Sequence, residues 1–495
     1  MRKPISILLV CFLLLLSACT PKKESSTNES SKSGDEVSEV NMVLFSSAIP
    51  KDLKIVEDEI NKIAKEKINV KIKLTPINIG NYVQQTNLML SSNEKVDLML
   101  VASFFGYTSQ AAKGQLLPLD DLVDQYGPDI KKVLDEDYLN ASKVSGKLYA
   151  VPTIRDMASS PGIMMRKDLV EKYNIDVSKV KTLDDVESVL KTLKENEKDL
   201  TPLVPSNPGQ QPTMIYNWFD RLGDGLGVLP KYDNNLKVVN LFETDEYAQY
   251  VKKMRKWQNE GLLMKNPGTN TDTGANLVKS NVGFSYLSPI KPGIDSQESK
   301  NTQMPMVSAS LGEPVSTTFG VTTMMWGIPQ SSKIPEAAMK FLNLMYHDKE
   351  IVNLLSWGIE GKHYEKVSDT QVKYPEGVDA TTNGYNLNMN FAMGNSFLSY
   401  IFEGNDPTLW NQMDEFNKKA IKSKALGFNF DNSPVKTEIT SVTNVVNKYT
   451  IGLENGVLDP ETELPKFINE LKAAGMDKII AEKQKQLDEW AKTQK

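Results

Sequence analysis

The apolar pattern between residues 42 and 101 constrains the fold more than any other feature of the chain. Its segments, in chain order, are 42–45 (strand), 53–63 (helix), 70–74 (strand), 82–90 (helix) and 96–101 (strand). The order strand, helix, strand, helix, strand is typical of an α/β fold with a parallel sheet. Such sheets bind ligands at the carboxyl ends of their strands, which here are the loops after Phe45, Leu74 and Val101.

The amino terminus has the organisation of an export signal. Arg2 and Lys3 precede an apolar run at 5–16, which is too short to span a bilayer as a helix. Residues 16–19, Leu-Ser-Ala-Cys, resemble the signal of a bacterial lipoprotein, in which the cysteine is alkylated with diacylglycerol and becomes the new amino terminus. The sequence therefore predicts that Cys19 is a lipid anchor. The alternative is an ordinary cleaved signal with an incidental cysteine.

This interpretation divides the first 40 residues into two parts. Residues 1–18 are the signal peptide, and residues 19–40 are a polar, flexible tether that lacks the apolar surface to fold. We expect the mature protein to be held by its lipid at the extracellular face of the cell membrane.

Composition excludes several classes of protein. The chain has two cysteines, and Cys11 lies in the signal segment, so no disulfide framework is possible in the mature protein. The net charge is −6 and charged residues are spread along the chain, which argues against nucleic-acid binding. A length of 495 residues is enough for two or three lobes.

Signatures of enzymes are mostly missing. The chain has two histidines, His347 and His363, and lacks the His-Glu-x-x-His, Gly-x-Ser-x-Gly and Walker motifs. We therefore expect no catalytic residues, no metal and no cofactor. A glycosidase that uses a pair of carboxylates has no spacing rule and stays open on this ground.

Six motifs in a fixed order resemble those of family 1 extracellular solute-binding proteins, the receptors of ABC importers. They lie at 113–122 (KGQLLPLDDL), 146–152 (GKLYAVP), 165–175, 245–261, 326–342 and 354–364. Each motif is weak alone, but together they cover nearly the whole mature chain. The final segment is similar to that of a subgroup with a long carboxyl-terminal region of unassigned role.

The resemblance implies a two-lobed α/β fold like that of the type II periplasmic binding proteins, with a ligand cleft between the lobes. It places the first lobe at 41–150 plus 330–400 and the second at 153–325. The carboxyl-terminal helices, 401–495, are expected to pack mainly on the second lobe. The implied partners are a carbohydrate ligand and the transmembrane subunits of an ABC permease, and we expect a monomer.

A carbohydrate receptor needs flat aromatic side chains for sugar faces and polar side chains for hydroxyls. Aromatic, amide and guanidinium groups near predicted loops and hinges are therefore the candidates. They are Phe104, Phe105, Tyr107, Arg155, Trp218, Trp326, Trp357, Tyr385 and Asn395. For each of these residues a core or salt-bridge role is the alternative.

Other functions are compatible with the same sequence. A receptor of this fold for a peptide or amino-acid-like solute would rely more on a charged clamp such as Arg155 than on aromatic side chains. A secreted glycan-degrading enzyme and a surface adhesin or scaffold are the alternatives from other classes.

Overall fold

The structure, a computed structural model, describes residues 37–92, 94–216, 218–232, 234–387 and 389–494. The predicted signal segment, Cys19 and the tether up to residue 36 lie outside the described residues. Among the residues that are described, no helix is long and apolar enough to cross a membrane.

Residues 38–152 form the strands and helices of the first part of the chain. The first strand begins four residues before the apolar run because Val40 already faces the core, whereas Glu39 is exposed. The elements are β1 (Ser38–Ser46), α1 (Leu53–Ile68), β2 (Val70–Asn78), α2 (Ile79–Ser92), β3 (Leu98–Val101), α3 (Tyr107–Ala112), α4 (Asp120–Tyr126), α5 (Pro128–Val133), α6 (Glu136–Ala141), β4 (Lys143–Val144), β5 (Lys147–Leu148) and β6 (Ala150–Pro152).

Residues 160–310 form the second part. Its longest strands are buried along nearly their whole length, and α8 begins with a capping box between Thr182 and Asp185. The elements are β7 (Ser160–Arg166), α7 (Lys167–Lys172), α8 (Leu183–Asn196), β8 (Thr201–Leu203), β9 (Phe219–Asp220), β10 (Leu229–Pro230), α9 (Asp245–Asn259), α10 (Gly274–Lys279), β11 (Gly283–Ile290), α11 (Ile294–Thr302) and β12 (Met306–Ser310).

The rest of the chain returns through short strands and ends in long helices. The elements are β13 (Val315–Ser316), α12 (Thr318–Val321), β14 (Met325–Gly327), α13 (Pro335–His347), α14 (Lys349–Trp357), β15 (Glu365–Lys366), β16 (Gln371–Lys373), β17 (Ile401–Phe402), α15 (Leu409–Lys419), β18 (Ile421–Lys422), α16 (Lys436–Glu454), α17 (Pro460–Ala474) and α18 (Met476–Lys492).

The first sheet has the strand order β2-β1-β3-β14-β6. Strand β1 is parallel to β2 and β3, as the sequence predicts, with Val43 opposite both Thr75 and Met99. Strand β14, from much later in the chain, runs antiparallel between β3 and β6. Because β1, β2 and β3 are parallel, the loops after β1 and β3 and the first turn of α2 after β2 lie at the same edge of the sheet.

The second sheet has the order β12-β7-β11-β8. Strand β11 is parallel to β8 and antiparallel to β7. The strands β8 and β11 therefore end at the same edge, where segments 204–216 and 291–293 follow them.

Each sheet has its own hydrophobic core, and we call a sheet with its core a lobe. The core of the first lobe draws on residues from 40–157 and 321–393. The core of the second draws on 163–311 and on 435–479, so helices α16 and α17 and the start of α18 contribute to it. The mixed α/β, two-lobed fold expected from the sequence is thus present.

Three passages of the chain meet between the lobes. Asn417 lies in α15. It donates from Nδ2 to the carbonyl of Arg155 at 2.6 Å and accepts at Oδ1 from the amide of Met157 at 2.9 Å. Strand β13 pairs with β18, and the side chain of Ser316 is 2.9 Å from the hydroxyl of Tyr138. The passages are therefore joined to each other by hydrogen bonds that are buried or partly buried.

Candidate ligand site between the two lobes

The loop after β3 presents one aromatic ring to solvent. Residues Ser103–Phe105 form a single 3-10 turn that ends at Gly106, whose φ of 87° suits glycine. Phe104 is 54% exposed, and its ring lies 4.4 Å from that of Phe105, which in turn packs edge-on against Phe45 at 5.7 Å. Phe104 is therefore an accessible ring on a packed aromatic base.

A second exposed ring belongs to the passage between the lobes. Phe319, in α12, is 44% exposed. The backbone amide of Ser103 donates to the carbonyl of Thr322 at 2.9 Å, so the loop of Phe104 is attached to the segment that carries Phe319. The segments that carry Phe104 and Phe319 are therefore joined by a backbone hydrogen bond, although they are far apart in the sequence.

A groove of about 640 Å³ lies at the carboxyl-terminal edge of the second sheet and reaches Phe319. Its lining combines amides, hydroxyls and apolar surface, the combination that binds sugar rings and their hydroxyl groups. The residues are Ser206, Asn207, Gln210, Met214, Ile215, Thr273, Ala275, Asn276, Tyr286, Leu287, Ser288, Pro289, Glu298, Asn301 and Phe319.

The carboxylate of Glu298 belongs to this lining and is hydrogen-bonded to other side chains of the protein. It is 8% exposed and accepts hydrogen bonds from the hydroxyl of Tyr286 at 2.5 Å and from Nδ2 of Asn301 at 3.0 Å. Burial and the carboxylate together raise the pKa of Tyr286 well above its usual value. Glu298 therefore holds the wall of the groove in place.

The charged groups beside the groove form a triad around Asp156. Its two oxygens lie 2.5 Å from a guanidinium nitrogen of Arg155 and 2.5 Å from the ammonium of Lys291, which follows β11. Burial acts to raise the pKa of Asp156, but the charges of Arg155 and Lys291 outweigh it and hold that pKa below its usual value. Arg155 also donates to the carbonyl of Gly320 at 2.9 Å. These contacts favour a salt-bridge role for Arg155, which was the alternative to ligand binding.

Four of the predicted site residues lie in the core. Tyr107, Trp326, Tyr385 and Asn395 are each at most 8% exposed. Their polar atoms have internal partners: the hydroxyl of Tyr107 donates to the carbonyl of Ser142, Nε1 of Trp326 to Ala392 at 2.6 Å, the hydroxyl of Tyr385 to Leu355 at 3.1 Å and Nδ2 of Asn395 to Tyr346 at 3.3 Å. We therefore correct the expectation for these four and leave them out of the candidate surface.

The physical reason for burial differs between Tyr107 and Trp326. Tyr107 begins helix α3 and points into the first core, although its position in the sequence resembles a loop. Trp326 lies in β14 at the middle of the first sheet, between Leu100 and Val151, and not at a hinge surface.

Trp218 and Trp357 are partly exposed but stand outside the groove. Trp218 packs against Tyr216 and Tyr250 at ring distances of 5.5 and 5.7 Å. Trp357 ends α14, donates from Nε1 to Ser399 at 2.9 Å and stacks on Phe402 at 5.8 Å. Of the nine predicted residues, Phe104, Phe105 and Arg155 are thus the ones placed at the junction between the lobes.

Most residues of the groove were not predicted from the sequence. Asn207, Gln210, Met214, Asn276 and Phe319 come from segments far apart in the chain, and no spacing rule relates them. One signal was available: segment 204–216, which follows β8, has no charged residue.

Groups for metal or acid–base chemistry do not gather here. Within the described ranges, no set of three or more His, Cys, Asp or Glu side chains is arranged to hold a metal ion. His363 is 1% exposed, with Nε2 3.0 Å from Asp52 and Nδ1 accepting from the amide of Ile359 at 2.9 Å. It is a buried structural group of the first lobe.

Two families match this chain. Residues 50–350 match the family described as bacterial extracellular solute-binding proteins. Residues 424–492 match a domain of unknown function, DUF3502, which covers the three carboxyl-terminal helices.

Individual proteins give a consistent result. A carbohydrate ABC transporter substrate-binding protein of Streptococcus pneumoniae is 29% identical over 453 residues, which cover 88% of this chain and 87% of that protein. The crystal structure of the N-glycan transport solute-binding protein NgtS from Streptococcus pneumoniae is 27% identical, covers 92% of this chain and 100% of its own, and has a TM-score of 0.82. The same protein in complex with Man1GlcNAc is 26% identical, covers 92% and 99%, and has a TM-score of 0.71.

Proposed function

The chain belongs to the family of bacterial extracellular solute-binding proteins, and we propose that it captures an oligosaccharide and delivers it to the permease of an ABC importer. Proteins of this family bind substrates for transporters, and this chain is a binding protein and not an enzyme.

The observation that carries the carbohydrate assignment is the groove beside Phe319. Amides and hydroxyls alternate there with Met214, Ile215 and Phe319, so that polar groups are available for hydroxyls and apolar surface for C–H faces. The names of the relatives support the assignment, since one is a carbohydrate transporter protein and another was crystallised with Man1GlcNAc.

We propose that the ligand is held by closure of the lobes. The match to NgtS falls from a TM-score of 0.82 to 0.71 when that protein is in its glycan complex, although the same 92% of this chain is covered. This supports an arrangement of the lobes here that differs from the glycan-bound one. A ligand favours closure only through contacts that the closed form adds, and we propose that Phe104 on the opposite lobe adds them.

Calorimetric titration of the mature chain with Man5GlcNAc, a glycan with which NgtS was also crystallised, tests the assignment. We expect Phe104→Ala and Phe319→Ala each to weaken binding about tenfold, which corresponds to about 1.4 kcal/mol. Leu88→Ala is the matched control, since Leu88 is an apolar side chain of α2 that is 67% exposed, and it should leave the affinity within about twofold. Unchanged affinity in both phenylalanine variants would remove these rings from the site.

A receptor for peptides or amino acids is the second candidate within this fold. It would use an accessible charged clamp, whereas Arg155 is already bonded to Asp156 and Gly320. Tight binding of a peptide and none of any glycan in the same titrations would favour it over the proposal.

We also propose that Cys19 carries the lipid that holds the receptor at the outer face of the membrane. The sequence at 16–19 and the extracellular character of the family support this. We expect Cys19→Ser to move the protein from the membrane fraction to the culture medium, where gel filtration should show a monomer. Retention of the variant in the membrane would disprove the anchor.

A further inference from the structure

Four segments at the ends of strands that meet the junction of the lobes have no charged residue, although the segment after β11 begins with Lys291. Charged residues make up 24% of the chain. Yet no Asp, Glu, Lys or Arg occurs in 46–49, 78–82 and 102–106, which follow the three parallel strands of the first sheet, or in 204–216, which follows β8. Charge first reappears after these loops, for example at Lys51.

The lining of the groove also has few charged side chains. Glu298 is its one charged side chain among the described residues, and neither lysine nor arginine lines it. Glu298 is buried and bonded to Tyr286 and Asn301. The groove therefore presents dipoles to a ligand and no positive charge.

Two cations close to the lining residues Pro289 and Phe319, namely Lys291 and Arg155, are already bonded within the protein. Arg155 and Lys291 share the carboxylate of Asp156, and the formal charges of these three groups and Glu298 sum to zero. A ligand carboxylate would have to break this triad or remain unpaired. An unpaired carboxylate removed from water is strongly disfavoured, while a neutral hydroxyl needs only a hydrogen-bond partner.

From these observations we infer that the receptor selects uncharged oligosaccharides and rejects those that carry carboxylates, such as uronic-acid or sialylated glycans. This inference rests on the proposed function and adds the substrate class. Selection comes from the absence of a free positive charge that could pair with a ligand carboxylate in the closed site. The groove therefore disfavours charged glycans as well as binding neutral ones.

A matched pair of ligands tests the inference. Man5GlcNAc and the same glycan with its terminal primary alcohols oxidised to carboxylates differ in charge and little in shape. In calorimetric titrations of the mature chain at neutral pH, we expect the oxidised glycan to bind at least about tenfold more weakly. Binding of the neutral glycan should change less than about twofold between 0.05 and 0.5 M salt, because no ion pair with the ligand forms.

The outcomes separate the two claims. Equal or tighter binding of the oxidised glycan would overturn the inference and leave the receptor assignment standing. Binding of neither glycan, nor of any other oligosaccharide, would defeat the receptor assignment and the inference with it.

A variant places the missing counter-charge in the groove. Asn276 is an exposed lining residue of α10, and Asn276→Lys should reduce the preference for the neutral glycan at least about threefold. Asn276→Gln keeps the amide and is the control, with the preference unchanged. An unchanged preference in the lysine variant, with folding shown by circular dichroism, would mean that charge in the groove does not set selection.

Discussion

The two lobes complete their cores in different ways. The first lobe is closed by a return of the chain, which inserts β14 into its sheet and packs α13 and α14 against it. The second lobe is completed from the carboxyl terminus, where Phe467 of α17 packs against Phe242 at 4.7 Å and Tyr449 at 5.1 Å. The segment that matches a domain of unknown function is thus part of the second core, and we interpret it as structural support for the lobe that carries the proposed ligand groove.

The junction of this segment with the second lobe also contains buried charge. Lys483 of α18 is fully buried, 2.5 Å from Asp224 and 4.8 Å above the ring of Phe430, and burial lowers its pKa. Glu454, also buried, accepts from the amide and hydroxyl of Thr213 at 3.0 and 2.9 Å. Buried polar groups of this kind require fixed partners, so they favour one placement of the helices.

The largest expected effect follows removal of the carboxyl-terminal segment. Deletion of residues 424–495 exposes the face of α9 and the ring of Phe242 that α16 and α17 cover, and we expect a loss of more than about 5 kcal/mol, enough to unfold the lobe. Hydrogen exchange should show loss of protection in 160–310 and retention in β1, β2 and β3. Native protection in both lobes would show that the segment is an appendage.

A pair of core truncations gives the next largest effect. Phe467→Ala and Phe341→Ala remove fully buried rings from the second and first cores, and each should cost about 3–5 kcal/mol. If the lobes unfold separately, each variant lowers a different transition in calorimetry. A single transition lowered equally by both would mean that the fastening at Asn417 makes the lobes one cooperative unit.

Glu454 gives the second lobe its own pH dependence. Burial raises its pKa to about 7, whereas in the unfolded chain a glutamate titrates near its ordinary value. The stabilisation from its proton is complete below about pH 4 and is lost as the pH rises through 7. The glutamine of Glu454→Gln does not titrate. The free energy of unfolding of the wild type should therefore fall relative to that of Glu454→Gln between pH 5 and pH 8, by on the order of 2 kcal/mol.

The first lobe is expected to respond in the opposite direction. Burial lowers the pKa of His363, although Asp52 acts to raise it. The folded form therefore prefers the neutral ring, and stability is lost as the pH falls through the ordinary histidine range. A pH series of chemical unfolding of the wild type and Glu454→Gln measures both trends, and a constant difference between the two proteins would contradict the role of Glu454.

The sequence predicted what depends on local pattern and chain order. Alternation and helical spacing were sufficient for the parallel β1, β2 and β3, and for the exposed loop that carries Phe104. They were insufficient for β14, whose three residues become a strand only by pairing with Leu100 and Val151. Aromatic residues near loops were ambiguous, since Phe104 faces solvent while Tyr107, three residues later, is buried. The groove was out of reach because its residues meet only after the second sheet has formed.

The smallest expected effect concerns the same loop and separates support from binding. Phe104 is 54% exposed, so Phe104→Ala should change the free energy of unfolding by less than about 0.5 kcal/mol. Phe105→Ala removes the ring that packs between Phe45 and Tyr82, at 5.7 and 5.3 Å, and should cost about 1–2 kcal/mol. Because these neighbours share one turn, equal losses of glycan affinity with unequal losses of stability would show that Phe105 acts by holding Phe104 in place. A large loss of stability in Phe104→Ala would instead place that ring in the first core and take it out of the binding surface.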